Sequence, residues 1–334
     1  MKQQRIYLTD LSLARIFAIY WVVLVQHNFE IFRIGWVAQL SGDICIWPYK
    51  NFTEITQYIT MITMPICFFI SGYILQNSQA LIKQKAIEFI QKKIKRLLIP
   101  CYILGAFFSL LTTNSLSVHI LYGYSHLWFI FYLFLMFLLT YFVRKLAINI
   151  SLRQSFSVII ILLLIYKVSS IFELYKVANF IRYYIWFIGG FIYPIHIDHF
   201  IKKKINITLM FLAALIGFII LQLNCHNTSI ISLYSFIYTA ITIAFILLIA
   251  QKINLYFPHI STNNLFNILN RTSYGVYIFH MIYLFLFYSL INWTDNTVFL
   301  VNHVKWLSSV ISLITIPCSI ITTYLLNKTT WLKL

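Results

Sequence analysis

The chain has 334 residues, of which 61% are hydrophobic and 10% charged, and its formal net charge is +17. Ordinary soluble domains carry roughly a quarter charged residues, so this balance excludes a water-soluble globular fold and points to a polytopic membrane protein. The excess of lysine and arginine is what basic inner loops meeting anionic lipid supply, and it gives no argument for nucleic-acid binding.

At about 20 apolar residues per crossing, the chain reads as an all-α transmembrane bundle of about ten spans. They fall near 11–29, 56–75, 97–114, 125–143, 155–173, 180–197, 205–223, 230–250, 272–291 and 306–326. The first could be taken for a secretory leader, but Arg15 interrupts it and no small-residue cleavage site follows, so a retained first helix is expected. With the N-terminus inside, most basic residues, including Lys2, Arg5, Lys92, Lys93, Lys95, Arg96, Lys202 to Lys204 and Arg271, share one side. By the positive-inside rule that side is the cytoplasm, and both termini are expected there. Connections are short except 30–55, 76–96 and 251–271, with no visible repeat, so residues 1–334 are expected to form one membrane domain with no appended soluble one. Oligomeric state is not legible, because an apolar helix face serves lipid and subunit alike.

Within the first span, Arg15 and His27 stand out. A charge at the centre of a membrane helix costs roughly 2.5–3.5 kcal/mol, so such groups usually face a protein interior or a wet cavity. Arg15 lies near the cytoplasmic end, and His27, twelve residues on, sits about 18 Å further along the axis, in the outer third. Two readings stand for each. Arg15 presents a guanidinium fork to a phosphate-bearing ligand, or it snorkels to the inner interface. His27, desolvated and biased toward neutrality, takes a proton from a hydroxyl, or it hydrogen-bonds a neighbouring helix.

Outside the first span, Cys45 and Cys225 fall in outer loops where a disulfide is sterically open, though the five cysteines show no paired spacing. In loop 30–55, Trp36, Asp43, Trp47, Tyr49 and Glu54 suit either a sugar or interfacial anchoring. In the second span, Ser71 and Gly72 follow Pro65, where a helix bends and a hydroxyl can reach a freed carbonyl; close packing of small residues is the plainer reading. Lys93 and Arg96 share a helical face just before the third span, suited to gripping phosphates or to meeting anionic lipid. His119 and His126 border an outer loop. The His196-Ile197-Asp198-His199 run has too few ligands and no second shell for a convincing metal site, and none is expected.

Taken together these landmarks resemble the acyltransferase 3 family of integral-membrane proteins. The resemblance rests on Arg15 and His27, on Phe69-Ile70-Ser71-Gly72-Tyr73-Ile74-Leu75, which is similar to a Phe-x-x-Ser-Gly-x-x-Leu pattern, and on Lys93-Ile94-Lys95-Arg96 with Pro100, similar to a basic Arg-x-x-Arg segment. His126-Leu127-Trp128-Phe129 and Ser273-Tyr274-Gly275-Val276-Tyr277-Ile278-Phe279-His280 complete it, so the likeness covers essentially the whole chain. It implies transfer of an acyl group, most commonly acetyl, from cytoplasmic acyl-CoA to a hydroxyl of a lipid-linked or cell-surface glycan across a bacterial inner membrane. Arg15, Lys93 and Arg96 would contact the CoA phosphates, and His27 would act as general base or relay the acyl group. No permanently bound cofactor is implied.

Two features differ from that pattern. Lys93 stands where arginine is usual, keeping charge but losing the bidentate fork. Eleven residues separate Arg15 from His27 where ten are common; an unbroken α-helix would then turn the pair about 120° apart instead of about 20°. A bulge would restore the facing.

The chemistry needs no metal: a thioester is already activated, and the protein must position it, exclude water, supply a base and stabilise an oxyanion. Ser71, Tyr73, Trp128, Tyr132 and His280 are candidate pocket groups, His280 equally suited to interhelical hydrogen bonding. A serine triad is not expected, since no carboxylate is identifiably paired with a histidine. A second class stays open at this point: a transporter or flippase for a lipid-linked saccharide, because ionisable groups inside helical bundles also mark translocation paths.

Overall fold

The computed structural model describes residues 2–27, 46–78, 84–113, 116, 118–146, 151–196, 206–223, 228–293 and 297–328, with the backbone alone described at several helix ends. Among the described residues the fold is all-helical, with no strand. The spans expected from hydropathy are helical over their described residues except at Phe172 and Glu173, which form a turn, and at Asn206, which precedes a helix. Three stretches, Arg153–Ile171, Tyr234–Tyr256 and Val310–Asn327, are candidate membrane spans by length and composition. Trp36, Asp43, Cys45, Cys225 and Ile197 to His199 lie outside the described residues, as do the side chains of His27, Trp47, Tyr49, Glu54, His119 and His196.

The chain divides into two compact units, Met1–Thr63 with Asn206–Leu334, and Met64–Ile205. The first contains α1 (Lys2–Trp21), which continues as a π-helical turn, Val22–His27. It also holds the first part of α2 (Ile46–Asn77) and four later helices, labelled α8 (Ile207–Leu223), α9 (Thr228–Tyr256), α10 (Asn264–Trp293) and α11 (Thr297–Lys328). Leu11, Ala14, Ala18 and Val22 recur at helical spacing and are buried, forming the stripe by which α1 packs on α9 and α10. Alanines there allow close backbone approach. Asn206 and Asn263 cap α8 and α10: their Oδ1 atoms accept from the N–H groups of Thr208 at 2.9 Å and Leu265 at 2.8 Å.

In α2, Pro65 lacks the N–H that would serve the carbonyl of Met61, and Thr239 of α9 donates to that oxygen instead, at 3.3 Å. The hydroxyl that reaches the freed carbonyl therefore comes from another helix and not from Ser71. Along α11, Ser312, Thr315, Ser319 and Thr323 are buried. Ser319, Thr322 and Thr323 each donate to the carbonyl one turn back, at 2.8, 2.9 and 2.7 Å. Tyr283 of α10 and Thr322 also share a hydrogen bond. An apolar slot of about 470 Å³ runs between α1, α2 and α9, walled by Leu13, Phe17, Trp21, Ile62, Phe245 and Ile249 among others.

The second unit holds the rest of α2, then α3 (Ala86–Lys93), a π-helical turn Ile94–Leu98, α4 (Ile99–Thr113), α5 (Trp128–Leu146), α6 (Leu152–Ile171) and α7 (Tyr175–His196). Much of the expected inner loop 76–96 is thus helical. A capping box starts α6: Ser151 Oγ accepts from the Gln154 N–H at 3.3 Å, and Gln154 Oε1 accepts from the Ser151 N–H at 2.8 Å. A tight turn at Phe172–Leu174, with Glu173 at φ 55°, folds α7 back onto α6. Phe89 of α3 stacks on Tyr141 of α5 at 4.6 Å, and the Tyr141 hydroxyl donates to the Gln84 carbonyl at 2.9 Å, seating α3. In α2 and α7, Gly72 and Gly190 interlock: a Cβ on Gly72 would lie 2.0 Å from the Phe187 oxygen, and one on Gly190 would lie 1.8 Å from the Phe69 oxygen.

Candidate functional site

Arg15 sits on the buried stripe of α1, between Leu11 and Ala18, and is itself half-buried. Its Nη2 donates to the backbone carbonyl of Asn270 at 3.3 Å and, more closely, to Asn270 Oδ1. Ser273 Oγ donates to the same carbonyl at 3.0 Å. Five residues further along α1, the buried Tyr20 hydroxyl lies near Thr272 of α10, whose own hydroxyl donates to the Ile268 carbonyl at 2.8 Å. A polar seam thus runs between α1 and the start of α10 inside an otherwise apolar interface.

Beyond Trp21 the helix widens into the π turn that ends at His27. One extra residue in such a turn absorbs about 100° of rotation. The backbone of residue 27 therefore returns to within about 20° of the direction of residue 15, as an expected bulge would bring about. Further along α10, His280 is fully buried, and its Nδ1 lies 3.1 Å from the Val276 carbonyl. A carbonyl only accepts, so Nδ1 carries the proton, and in the neutral ring Nε2 keeps the lone pair.

The remaining candidates belong to the second unit. Ser71 donates to the carbonyl of Cys67 at 2.8 Å, along its own helix. Tyr73 is buried, its ring 6.0 Å from that of Tyr193. Trp128 and Tyr132 meet edge to face at 5.4 Å, and both belong to an aromatic group with Tyr183, 5.1 Å from Trp128, and Phe68, 6.4 Å from it. The Tyr132 hydroxyl donates to the Lys176 carbonyl at 3.4 Å. His126 is buried edge-on to Phe108 at 5.8 Å.

In the basic segment, Lys92, Lys95 and Arg96 are exposed while Lys93 is half-buried. The Lys93 ammonium stands 3.4 Å above the centre of the Phe137 ring and 5.4 Å from that of Phe89. Burial, with Arg96 adding repulsion, pulls its pKa down to about 7. The second π turn follows at once: the Ile99 N–H donates to the Ile94 carbonyl, five residues back. Both π turns described here coincide with candidate functional segments, the usual company of such turns.

The sequence-derived candidates are therefore distributed, with Arg15, His27 and His280 in one unit and Ser71, Tyr73, Lys93, Arg96, Trp128 and Tyr132 in the other. Trp128 and Tyr132 are brought together, as are Lys93 and the aromatic wall of α5. Asn270 and Tyr183 were missed. A polar Asn270 one turn before the Ser273-Tyr274 landmark, and Tyr183 four residues from Phe187 on a buried face, were the available signals. Among the described residues no three His, Cys, Asp or Glu side chains gather as metal ligands.

A family model for an acyltransferase domain matches residues 8–327, nearly the whole chain. The chain belongs to the acyltransferase 3 family. Membership, with the apolar helices, makes this acyltransferase 3 protein a membrane acyltransferase and lends no support to the transporter or flippase reading. No curated protein and no solved structure matches it.

Proposed function

We propose that the protein moves an acyl group, acetyl foremost, from cytoplasmic acyl-CoA to a hydroxyl of a lipid-linked or cell-surface glycan at the outer face of a bacterial inner membrane. The observation that carries this reading is Arg15, half-buried in the α1–α10 seam of an acyltransferase chain. A guanidinium there attracts the donor's phosphates more strongly than it would in water. Lys93 and Arg96 add positive charge on the cytoplasmic side.

His27 acts as general base. It takes the acceptor's proton as the hydroxyl oxygen attacks the thioester carbon; the new C–O bond forms, the C–S bond breaks, and the CoA thiolate leaves to be protonated. Neighbouring N–H and O–H donors stabilise the intermediate oxyanion. Ser71, Tyr73, Trp128 and Tyr132 in the second unit, and His280 in the first, are candidate substrate-contacting groups, the aromatic rings offering faces on which a sugar can stack.

The test supplies the purified protein in liposomes with radiolabelled acetyl-CoA and candidate glycans. Acceptor labelling that vanishes in both Arg15→Ala and His27→Ala, with folding intact, is the expected result. Saccharide crossing the bilayer with no covalent label would sink the proposal.

A further inference from the structure

The slot between α1, α2 and α9 is walled by helices of the first unit alone, and its walls are almost wholly apolar. On α9 they are Thr242, Phe245, Ile246, Ile249, Ala250 and Ile253, which recur at helical spacing as a single stripe. The polar side chains among the walls are Thr63, which is buried, and Thr242, whose hydroxyl donates to the Tyr238 carbonyl at 2.8 Å. Water held inside a protein needs several polar partners, and these walls do not supply them. An empty slot would forfeit dispersion contacts along every wall. The occupant is therefore apolar.

The dimensions select among apolar occupants. From Thr242 to Ile253 the α9 wall runs about 16 Å, close to one leaflet, which is half of a hydrocarbon core of about 30 Å. A volume of about 470 Å³ over that length is a section of about 30 Å². That is too slender for a helix of about 10 Å diameter and suits a single hydrocarbon chain. Phe17, stacked on Trp21 at 5.4 Å, is a wall residue and is 44% exposed, so the slot is reached from the side, where lipid lies. Beside Ile253 at its end, Lys252 is exposed, a cation that suits a phosphate headgroup at the membrane surface.

We propose that the slot holds one acyl chain of a membrane phospholipid, and that this chain braces α1 against α2 and α9. Phe17 and Arg15, two residues apart, point about 160° away from each other around α1, so the brace lies behind the face that carries Arg15. The lipid sets the seating of the helix that runs on to His27 and leaves the Arg15 contacts untouched. Inside a bilayer the gain comes from packing and not from leaving water, because lipid tails are as apolar as leucine. The inference needs only membrane residence and does not depend on which substrates the protein takes.

Ile249→Trp fills the slot, and Ile246→Phe, a smaller filling, replaces it if the first variant fails to fold. Ile160→Trp adds the same bulk to the exposed face of α6. Each protein is purified in detergent and washed, and the phospholipid retained per chain is counted by native mass spectrometry. Each is then stripped of lipid, and its unfolding temperature is followed as palmitoyl-oleoyl phosphatidylglycerol is added. Palmitoyl-CoA is offered separately to the unstripped wild type.

The expected result is one phospholipid per chain in wild type and in Ile160→Trp, with occupancy at least about tenfold lower in the slot-filling variant. Phosphatidylglycerol should raise the unfolding temperature of stripped wild type and leave that of the slot-filling variant unmoved. Wild type that keeps no phospholipid overturns the inference, as does equal retention in the slot-filling variant. Equal loss in Ile160→Trp also overturns it, since the lipid would then belong to a loosely held annulus. Palmitoyl-CoA that displaces the retained phospholipid would assign the slot to an acyl donor's chain and overturn it as well.

Discussion

The Thr239 hydroxyl stands 3.3 Å from the carbonyl oxygen of Met61, the acceptor that Pro65 leaves without its helical donor. A membrane helix tolerates proline only when the orphaned carbonyl finds another partner, and here the partner comes from α9. Thr239→Val, equal in shape but lacking the donor, is expected to destabilise the protein by about 1 kcal/mol, in the range measured for interhelical hydrogen bonds. Pro65→Ala restores the N–H, so in that background the same threonine change should cost little. A double-mutant cycle on thermal unfolding in detergent reads the coupling; additive losses would refute the pairing.

Gly72 and Gly190 each face the backbone of the opposing helix at distances that admit no Cβ. Either alanine variant should cost upward of about 3 kcal/mol or prevent folding, as severe overpacking does. Gly189 is the internal control, since its nearest neighbour would be a Phe69 ring carbon at 3.9 Å. Gly189→Ala is expected to fold normally and to be about a few tenths of a kcal/mol more stable, because it improves helix propensity. Size-exclusion profiles of the three variants decide it.

Lys93 has its pKa lowered from an ordinary 10.5 to about 7. Between those values the unfolded chain binds the extra proton and the folded one does not, so stability rises with pH across that window. Below about pH 7 the buried charge opposes folding in full; toward pH 10.5 that opposition disappears. Lys93→Met should flatten the rise in unfolding temperature measured between pH 6.5 and 9. The functional sign is opposite. A lysine that loses its charge as pH passes about 7 grips phosphate less, so KM for acyl-CoA should increase above neutrality, and Lys93→Arg should abolish that increase.

The π turn Val22–His27 invites a deletion. Removing Leu24 allows the turn to relax to α geometry with residue 27 keeping its direction relative to Arg15, since eleven steps of an α-helix return to within about 20°. Acyl transfer by the deletion variant is expected to persist within about tenfold of wild type. An alanine inserted after Trp21 adds a second step that the turn does not absorb, and activity should fall below detection. Equal loss in both would show that rotational phase is not what the turn preserves.

Helix placement was legible because hydropathy over about 20 residues reports directly on the medium around a segment. The bulge near His27 was legible too, from the one-residue excess between two functional positions. Sequence periodicity also marked the Lys93 and Arg96 face, but not that Lys93 would lie over Phe137, which is 44 positions distant and ordinary in every local respect. Asn270 escaped notice for the same reason: its meaning is conferred by Arg15 from the far end of the chain. Ser71 shows the converse. Its motif drew attention as chemistry, whereas its hydroxyl is bonded to its own helix and its neighbour Gly72 is pressed against the α7 backbone. Local pattern names the residues; only the crossing of helices decides which atoms they meet.

The hydroxyls of Ser319, Thr322 and Thr323 each lean back on a carbonyl of their own helix, α11. These three hydroxyls are therefore satisfied within α11 itself, whatever helix lies beside them. Docking of α11 on α10 therefore rescues none of these three groups, and Thr322 gains Tyr283 as an additional partner across the two helices.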